Sequence, residues 1–229
     1  MLGVFDSGRG GLVAYRELRR LLPRANLIYL ADRKNAPYGT RSAGEILELT
    51  AGAIERLTHM GADRVLIACC TASTVHERLP ERLRQASIPI ITPTAELCSE
   101  SERVLVIATE HTVRCGAFSK EIAKFSTASV TEVPMQPLVS AIEWGFSTEG
   151  WVEQITRLCQ GYDSLILGCT HFSHLYDELR DRLPEVKILS PAHIGAREII
   201  RKIKGSPERG LDIFTTLDFR FAKVIFSAS

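Results

Sequence analysis

The chain has 229 residues, 45% hydrophobic and 24% charged, with a formal net charge of +1. That length holds one large cored domain or two small ones, and the near-zero charge, with no Lys/Arg run standing out, argues against electrostatically driven nucleic-acid binding. No run approaches the about 20 apolar residues of a membrane helix, so neither nucleic acid nor membrane is an expected partner.

In chain order, the apolar run 2–5 predicts a first strand, which opens into the loop Asp6-Ser7-Gly8-Arg9-Gly10-Gly11. Helical periodicity over 12–22 follows, then a strand at 27–31 ending on Asp32. This start invites a dinucleotide-binding reading, but the third glycine of that fingerprint would fall at Val13. The loop taken alone reads as a tight turn. Ala36-Pro37-Tyr38-Gly39 is a second turn, with tyrosine at its tip.

A helix over 43–60 leads to a strand at 64–68, which ends on Cys69-Cys70-Thr71-Ala72-Ser73. A helix over 72–86 and a strand over 88–92 complete the first series. The second series has strands at 103–108, 129–133, 164–167 and 186–189, and helices at 112–124, 148–159 and 172–183. Its strand 164–167 ends on Gly168-Cys169-Thr170-His171. Ser190-Pro191 opens a further helix as cap and first turn, and a last strand is expected at 211–215. Strand–helix alternation of this kind gives mainly parallel sheets covered by helices on both faces. The expected fold is α/β, with one domain from 1–93 plus the returning 190–229 and a second from 94–189.

The two series echo each other. Cys69 and Cys169 lie 100 residues apart, each at a strand end and each soon followed by threonine. Val4-Phe5-Asp6-Ser7 has a counterpart 102 residues later in Val106-Ile107-Ala108-Thr109. Ligands of parallel sheets bind beyond the carboxyl ends of the strands. Two thiols at equivalent strand ends therefore suggest a shared cleft with one thiol on either wall, able to remove a proton from one face of a carbon and return one to the other. A thiol at a helix N-terminus has its pKa lowered from about 8.5, so thiolate is expected near neutrality.

The other cysteines, Cys98, Cys115 and Cys159, fall in helical patterns and are assigned structural roles. His59, His76, His111, His174 and His193 lack a partner constellation and read as surface or satisfied histidines. Neither a CxxC pair nor zinc-spaced Cys/His is present, so no metal is expected. A chain this long does not need disulfides. Reduced thiols and the absence of a signal-peptide pattern point to the cytoplasm.

Together the four loops resemble the cofactor-independent glutamate racemases of the aspartate/glutamate racemase superfamily. The matching text is Gly3-Val4-Phe5-Asp6-Ser7-Gly8, Pro37-Tyr38-Gly39, Ala68-Cys69 with Thr71-Ala72-Ser73, and Leu167-Gly168-Cys169-Thr170-His171, with Thr109-Glu110 and Thr112-Val113-Arg114 in the second half. The resemblance implies two pseudo-symmetric α/β domains with the active site between them, no cofactor, and interconversion of L- and D-glutamate for peptidoglycan. It implies that Cys69 and Cys169 are the acid–base thiols, assisted by Asp6, His171 and Glu143. It places Asp6, Ser7, Tyr38, Gly39, Cys70, Thr71, Thr109, Thr170 and His171 around the amino-acid substrate. Family members often form homodimers with varied interfaces.

Three places depart from the family. Cys70 replaces a substrate-contacting asparagine, and a thiol is a weak donor. Phe172-Ser173-His174 replaces a tyrosine-proline continuation, and Val133-Pro134-Met135-Gln136-Pro137 differs from the usual text. The rival readings are aspartate racemisation or a related thiol-based isomerisation, and, in another class, a degenerate ligand-binding or interaction protein.

Overall fold

A computed structural model describes residues 1–202 and the backbone of the strand Asp212–Thr216. Nine strands occur among the described residues: β1 Leu2–Asp6, β2 Leu27–Ala31, β3 Arg64–Ile67, β4 Ser87–Pro89, β5 Arg103–Ala108, β6 Ser129–Pro134, β7 Ser164–Gly168, β8 Lys187–Leu189 and β9 Asp212–Thr216. They form two all-parallel sheets, ordered β4-β3-β1-β2-β9 and β6-β5-β7-β8. Reversing the second gives β8-β7-β5-β6, the order of β4-β3-β1-β2, so the two halves share one strand pattern. The echoes at Cys69 and Cys169 are structural equivalents, because both follow the strand next to the first strand of their half.

Every residue of β1, β2 and β7 is buried. Alternate side chains feed different layers. Val4, Leu66, Val106 and Ile166 enter a central cluster drawn from both sheets, whereas Phe5 and Ile67 face one outer layer and Ile107 and Leu167 another. Each such aliphatic side chain contributes roughly 1.5–3 kcal/mol by leaving water. The shared central core holds the two sheets against each other, which fixes the cleft above their carboxyl ends. The helix Pro191–Lys202 packs on Leu12–Leu21, and β9 adds to the edge of the first sheet beside β2.

The helices over 12–22 and 43–60 form close to their expected spans, as Leu12–Leu21 and Ala43–His59. The latter starts with a capping box in which Ser42 and Glu45 satisfy each other's N–H groups, a contribution of about 1 kcal/mol. Three other expectations need correction. The helix over 72–86 is broken into Cys70–Ser73, a 3-10 turn and Glu81–Ala86, because Pro80 cannot continue a helix. That over 112–124 divides at Gly116, whose φ of 60° is left-handed. The strand over 88–92 stops at Pro89, and Ile91–Glu96 is a helix carrying Pro93 in its first turn, where the missing N–H costs nothing.

Candidate active site

The loops at the carboxyl ends of the two sheets enclose a cavity of about 230 Å³, small beside the roughly 300–1,000 Å³ of sites for drug-sized ligands. Its lining includes Ser7, Tyr38, Gly39, Cys69, Cys70 and Thr71 from one half, and Thr109, Glu143, Cys169, Thr170 and His171 from the other. Of the residues that the resemblance implied, Asp6 alone does not line it. Asp6 is fully buried behind the wall.

Cys69 ends the extended segment after β3 and caps the short helix Cys70–Ser73. The Ala72 N–H points at its sulfur across 3.5 Å, and the Ser7 hydroxyl lies 3.4 Å away. Cys169 follows β7 in the same extended conformation and leads into the 3-10 helix Thr170–Leu175. Its partner is different: His171 Nδ1 lies 3.7 Å from the sulfur. His171 Nε2–H donates to Glu143 Oε2 at 2.9 Å, so a carboxylate orients the ring and a thiol stands at its other nitrogen.

Gly8 N–H donates to Asp6 at 2.7 Å, and the Thr170 hydroxyl donates to it at 3.0 Å. The second of these bonds crosses from one half to the other. Thr71 and Thr109 hydroxyls meet across the same divide at 2.9 Å. The glycines of the first loop serve this closeness. A Cβ on Gly10 would stand 2.7 Å from the His171 nitrogen, and one on Gly11 would stand 2.5 Å from Asp6 Cβ. The tight-turn reading of the loop is therefore too weak: its glycines let the His171 loop approach.

The expectation of a lowered thiol pKa is reversed at Cys69. Burial, with the nearby Asp6 charge, pushes it up to about 12, although Ser7 and the Ala72 N–H act the other way. One N–H of a short helical turn and one hydroxyl from the first loop do not offset loss of water. Burial raises Cys70 well above its usual value too, and Cys70 adds a further thiol to the lining. Burial also raises Asp6, against the pull of His171 and the donors around it.

At His171, burial disfavours the cation, yet the contacts with Cys169 and Glu143 and the charges of Cys169 and Asp6 bring it up to about 10. Glu143 is the reciprocal case. Burial would raise it, but the His171 hydrogen bond and charge, with Arg9 and Arg33 more distant, lower it overall. The arrangement presents two sulfurs to one small cavity, one beside hydroxyl and N–H donors, the other beside an imidazole backed by a carboxylate. Such a site can deprotonate and reprotonate opposite faces of a bound carbon acid.

Sequence reasoning missed several contributors. Asp32, fully buried, accepts from the Tyr38 hydroxyl at 2.6 Å and from Asn35, and so positions Tyr38. The helix Gln136–Trp144 was not foreseen, and it supplies Gln136, Val139, Ser140 and Trp144 to the lining as well as Glu143. Cys98 and Cys115 donate to carbonyls one turn back, those of Thr94 and Thr112, and Cys159 is buried in a core, as their structural assignment expects. All six cysteines are free, and the described residues contain no helix long and apolar enough to cross a membrane.

A family model for Asp/Glu/Hydantoin racemase matches residues 12–199. The glutamate racemase of Desulforudis audaxviator is 37% identical over 203 residues, which span 83% of this chain and 74% of the relative. That of Microcystis aeruginosa is 35% identical over 202 residues, 83% and 71% of the two chains. Among solved structures, glutamate racemase from Francisella tularensis in complex with D-glutamate superposes with a TM-score of 0.82 at 29% identity, covering 95% of this chain and 88% of that one. Glutamate racemase from Thermus thermophilus, in complex with beta-chloro-D-alanine, gives 0.80 at 26% identity, with 94% and 86% covered.

Proposed function

The chain belongs to the Asp/Glu/Hydantoin racemase family, and from that premise we propose that it interconverts L- and D-glutamate through two cysteine thiols. The observation that carries this is the placement of Cys69 and Cys169 on either wall of one small cavity, each with its own proton-handling neighbours. One sulfur, as thiolate, takes the α-proton. The other, as thiol, protonates the opposite face.

The α-proton beside an ionised carboxylate is a very weak acid, so the site must stabilise the negative charge that develops on its removal. Preorganised donors in a water-poor cavity do this most effectively. The hydroxyls of Ser7, Thr71, Thr109 and Thr170 and the loop N–H groups are such donors. In this reading they hold the substrate's charged groups, with Tyr38 and Gly39 completing the enclosure. Asp6 and the His171–Glu143 pair act through the thiols.

The division into 1–93 with 190–229 and 94–189 belongs to the same proposal, since each part then brings one thiol to the cleft. So does a cytoplasmic supply of D-glutamate for peptidoglycan, which the free thiols suit. The test is to incubate the protein with L-glutamate and follow the appearance of D-glutamate by chiral chromatography, with aspartate in parallel. Conversion of glutamate supports the reading. Conversion of aspartate alone selects the sibling activity, and conversion of neither points to a ligand-binding protein.

A further inference from the structure

The loop that carries Asp6, Ser7 and Gly8 is held by a side chain that lies outside the cavity. Tyr29 is the third residue of β2, in register with Val4 of β1, and its ring belongs to the central core with Val4 and Leu66. Its hydroxyl donates to the Gly8 carbonyl at 2.9 Å, a buried contact. The Tyr15 ring meets the Tyr29 ring nearly edge-on, with centroids 5.8 Å apart and planes at 70°. That packing fixes where the phenol points.

Several contacts of the site converge on Gly8. Its N–H donates to Asp6 at 2.7 Å, and the residue lines the cavity. A Cβ added to it would stand 3.6 Å from His171 Cε1, so the loop also lies against the imidazole. The residue before it is Ser7, whose hydroxyl is 3.4 Å from the Cys69 sulfur. Glycine has no side chain to pin it and the widest backbone freedom. What fixes this turn is therefore what binds its backbone, Asp6 at the N–H and Tyr29 at the carbonyl. Burial, with the charges of Asp6, Cys69 and Glu143, raises Tyr29 well above its usual value. The phenol keeps its proton and stays a donor.

We infer that Tyr29 is a positioning residue for the proton transfers: by holding the Gly8 carbonyl it sets the loop that presents Ser7 to Cys69, places the Asp6 partner and backs the His171 ring. This rests on the reading that Cys69 and Cys169 exchange protons with the substrate. Tyr29 itself does not line the cavity, so it acts only through the loop. Without its hydroxyl the Gly8 carbonyl is a buried acceptor lacking that donor, and the loop relaxes away from the geometry that the two sulfurs require.

The test compares Tyr29→Phe, which keeps the ring and its packing, with Tyr15→Phe, which removes the hydroxyl from the ring beside it. KM and kcat for L-glutamate are measured by α-proton exchange in D2O, with melting temperature as the control for folding. Tyr29→Phe should lower kcat roughly 10- to 100-fold, the scale of a small misplacement of groups around a reacting centre. Its KM should stay within about threefold, because a loosened loop still binds substrate and fails at the transition state. Its melting temperature should fall by no more than about 2–4 °C, the scale of one buried hydrogen bond in a chain of this size. Tyr15→Phe should leave kcat at the wild-type value. Combined with Ser7→Ala, Tyr29→Phe should cost less than the product of the two single losses, since it acts through the loop that carries Ser7. A wild-type kcat in Tyr29→Phe, an equal loss in Tyr15→Phe, fully multiplicative losses with Ser7→Ala, or a Tyr29→Phe protein that does not fold would each overturn the inference. Should the wild-type protein exchange no glutamate, the functional reading itself falls first, and this one with it.

Discussion

The two walls of the cleft are built on one pattern, a buried strand ending in cysteine with threonine close behind, yet they handle protons differently. On the Cys69 wall the neighbours are a hydroxyl and a backbone N–H, and burial beside Asp6 pushes the thiol up to about 12. On the Cys169 wall the neighbour is an imidazole that a carboxylate holds at 2.9 Å and that is itself brought up to about 10. The repeated strand order thus places the sulfurs, whereas the loop that follows each strand decides its acid–base character. His171 has no equivalent after Cys69, where Cys70 and Thr71 occupy the next two positions.

Removing either sulfur tests what the walls share. Cys69→Ala and Cys169→Ala should each lower racemisation by at least about 10³-fold, in keeping with the weight of a positioned acid–base group. Full activity in either variant would end the two-thiol account. The next change tests how the walls differ. His171→Asn should reduce kcat/KM by roughly 10²-fold, in both directions alike because the equilibrium is fixed. The primary deuterium isotope effect should rise for the enantiomer that loses its proton to Cys169 and not for the other. Equal isotope effects would place the histidine outside the proton transfer.

Glu143→Gln keeps a hydrogen-bonding group at His171 but removes the charge that helps raise it. Activity should fall by about tenfold, and any basic limb governed by His171 should move to lower pH. Stability offers a related and smaller signal. A histidine raised from 6.5 to about 10 contributes stability that is fully present below pH 6.5 and is lost as pH rises through about 10. Denaturant titrations of His171→Asn should lack that share of the alkaline decline. On the opposite wall, Ser7→Ala removes both the contact to Cys69 and one donor to the substrate's charged groups, and a loss of about tenfold in kcat/KM is expected.

Much of the frame was legible in the residues. Buried parallel strands carry unbroken apolar runs, so β1, β5 and β7 were visible as Val4-Phe5, Val104-Leu105-Val106-Ile107 and Leu165-Ile166-Leu167. The cysteine loops were visible because they end such runs. The helix Gln136–Trp144 was hidden by Pro134 and Pro137, which read as loop. Pro137 in fact occupies the helix's second position, where an N–H has no intrahelical partner to lose. Glu143 therefore came from family likeness alone, and Gln136 showed only as part of a segment that departs from the family text.

Asp32 is a converse case. The dinucleotide reading that it invited already failed at Val13, and only the fold reveals that Asp32 braces Tyr38. The thiol pKa was misread because a helix start is visible in sequence and the depth of burial is not.

Isotope labelling of the substrate and product pools bears most directly on two opposed thiols. L-glutamate is converted in D2O, and α-deuterium is followed by NMR in the residual L-enantiomer and in the newly formed D-enantiomer at early times. Deuterium is expected in the D-product and almost none in the remaining L-glutamate, because the opposing sulfur delivers solvent deuterium whereas the abstracting sulfur can return only the proton it took. Deuterium entering the unreacted L-glutamate as fast as the product would show one base serving both faces, and would contradict the two-thiol account.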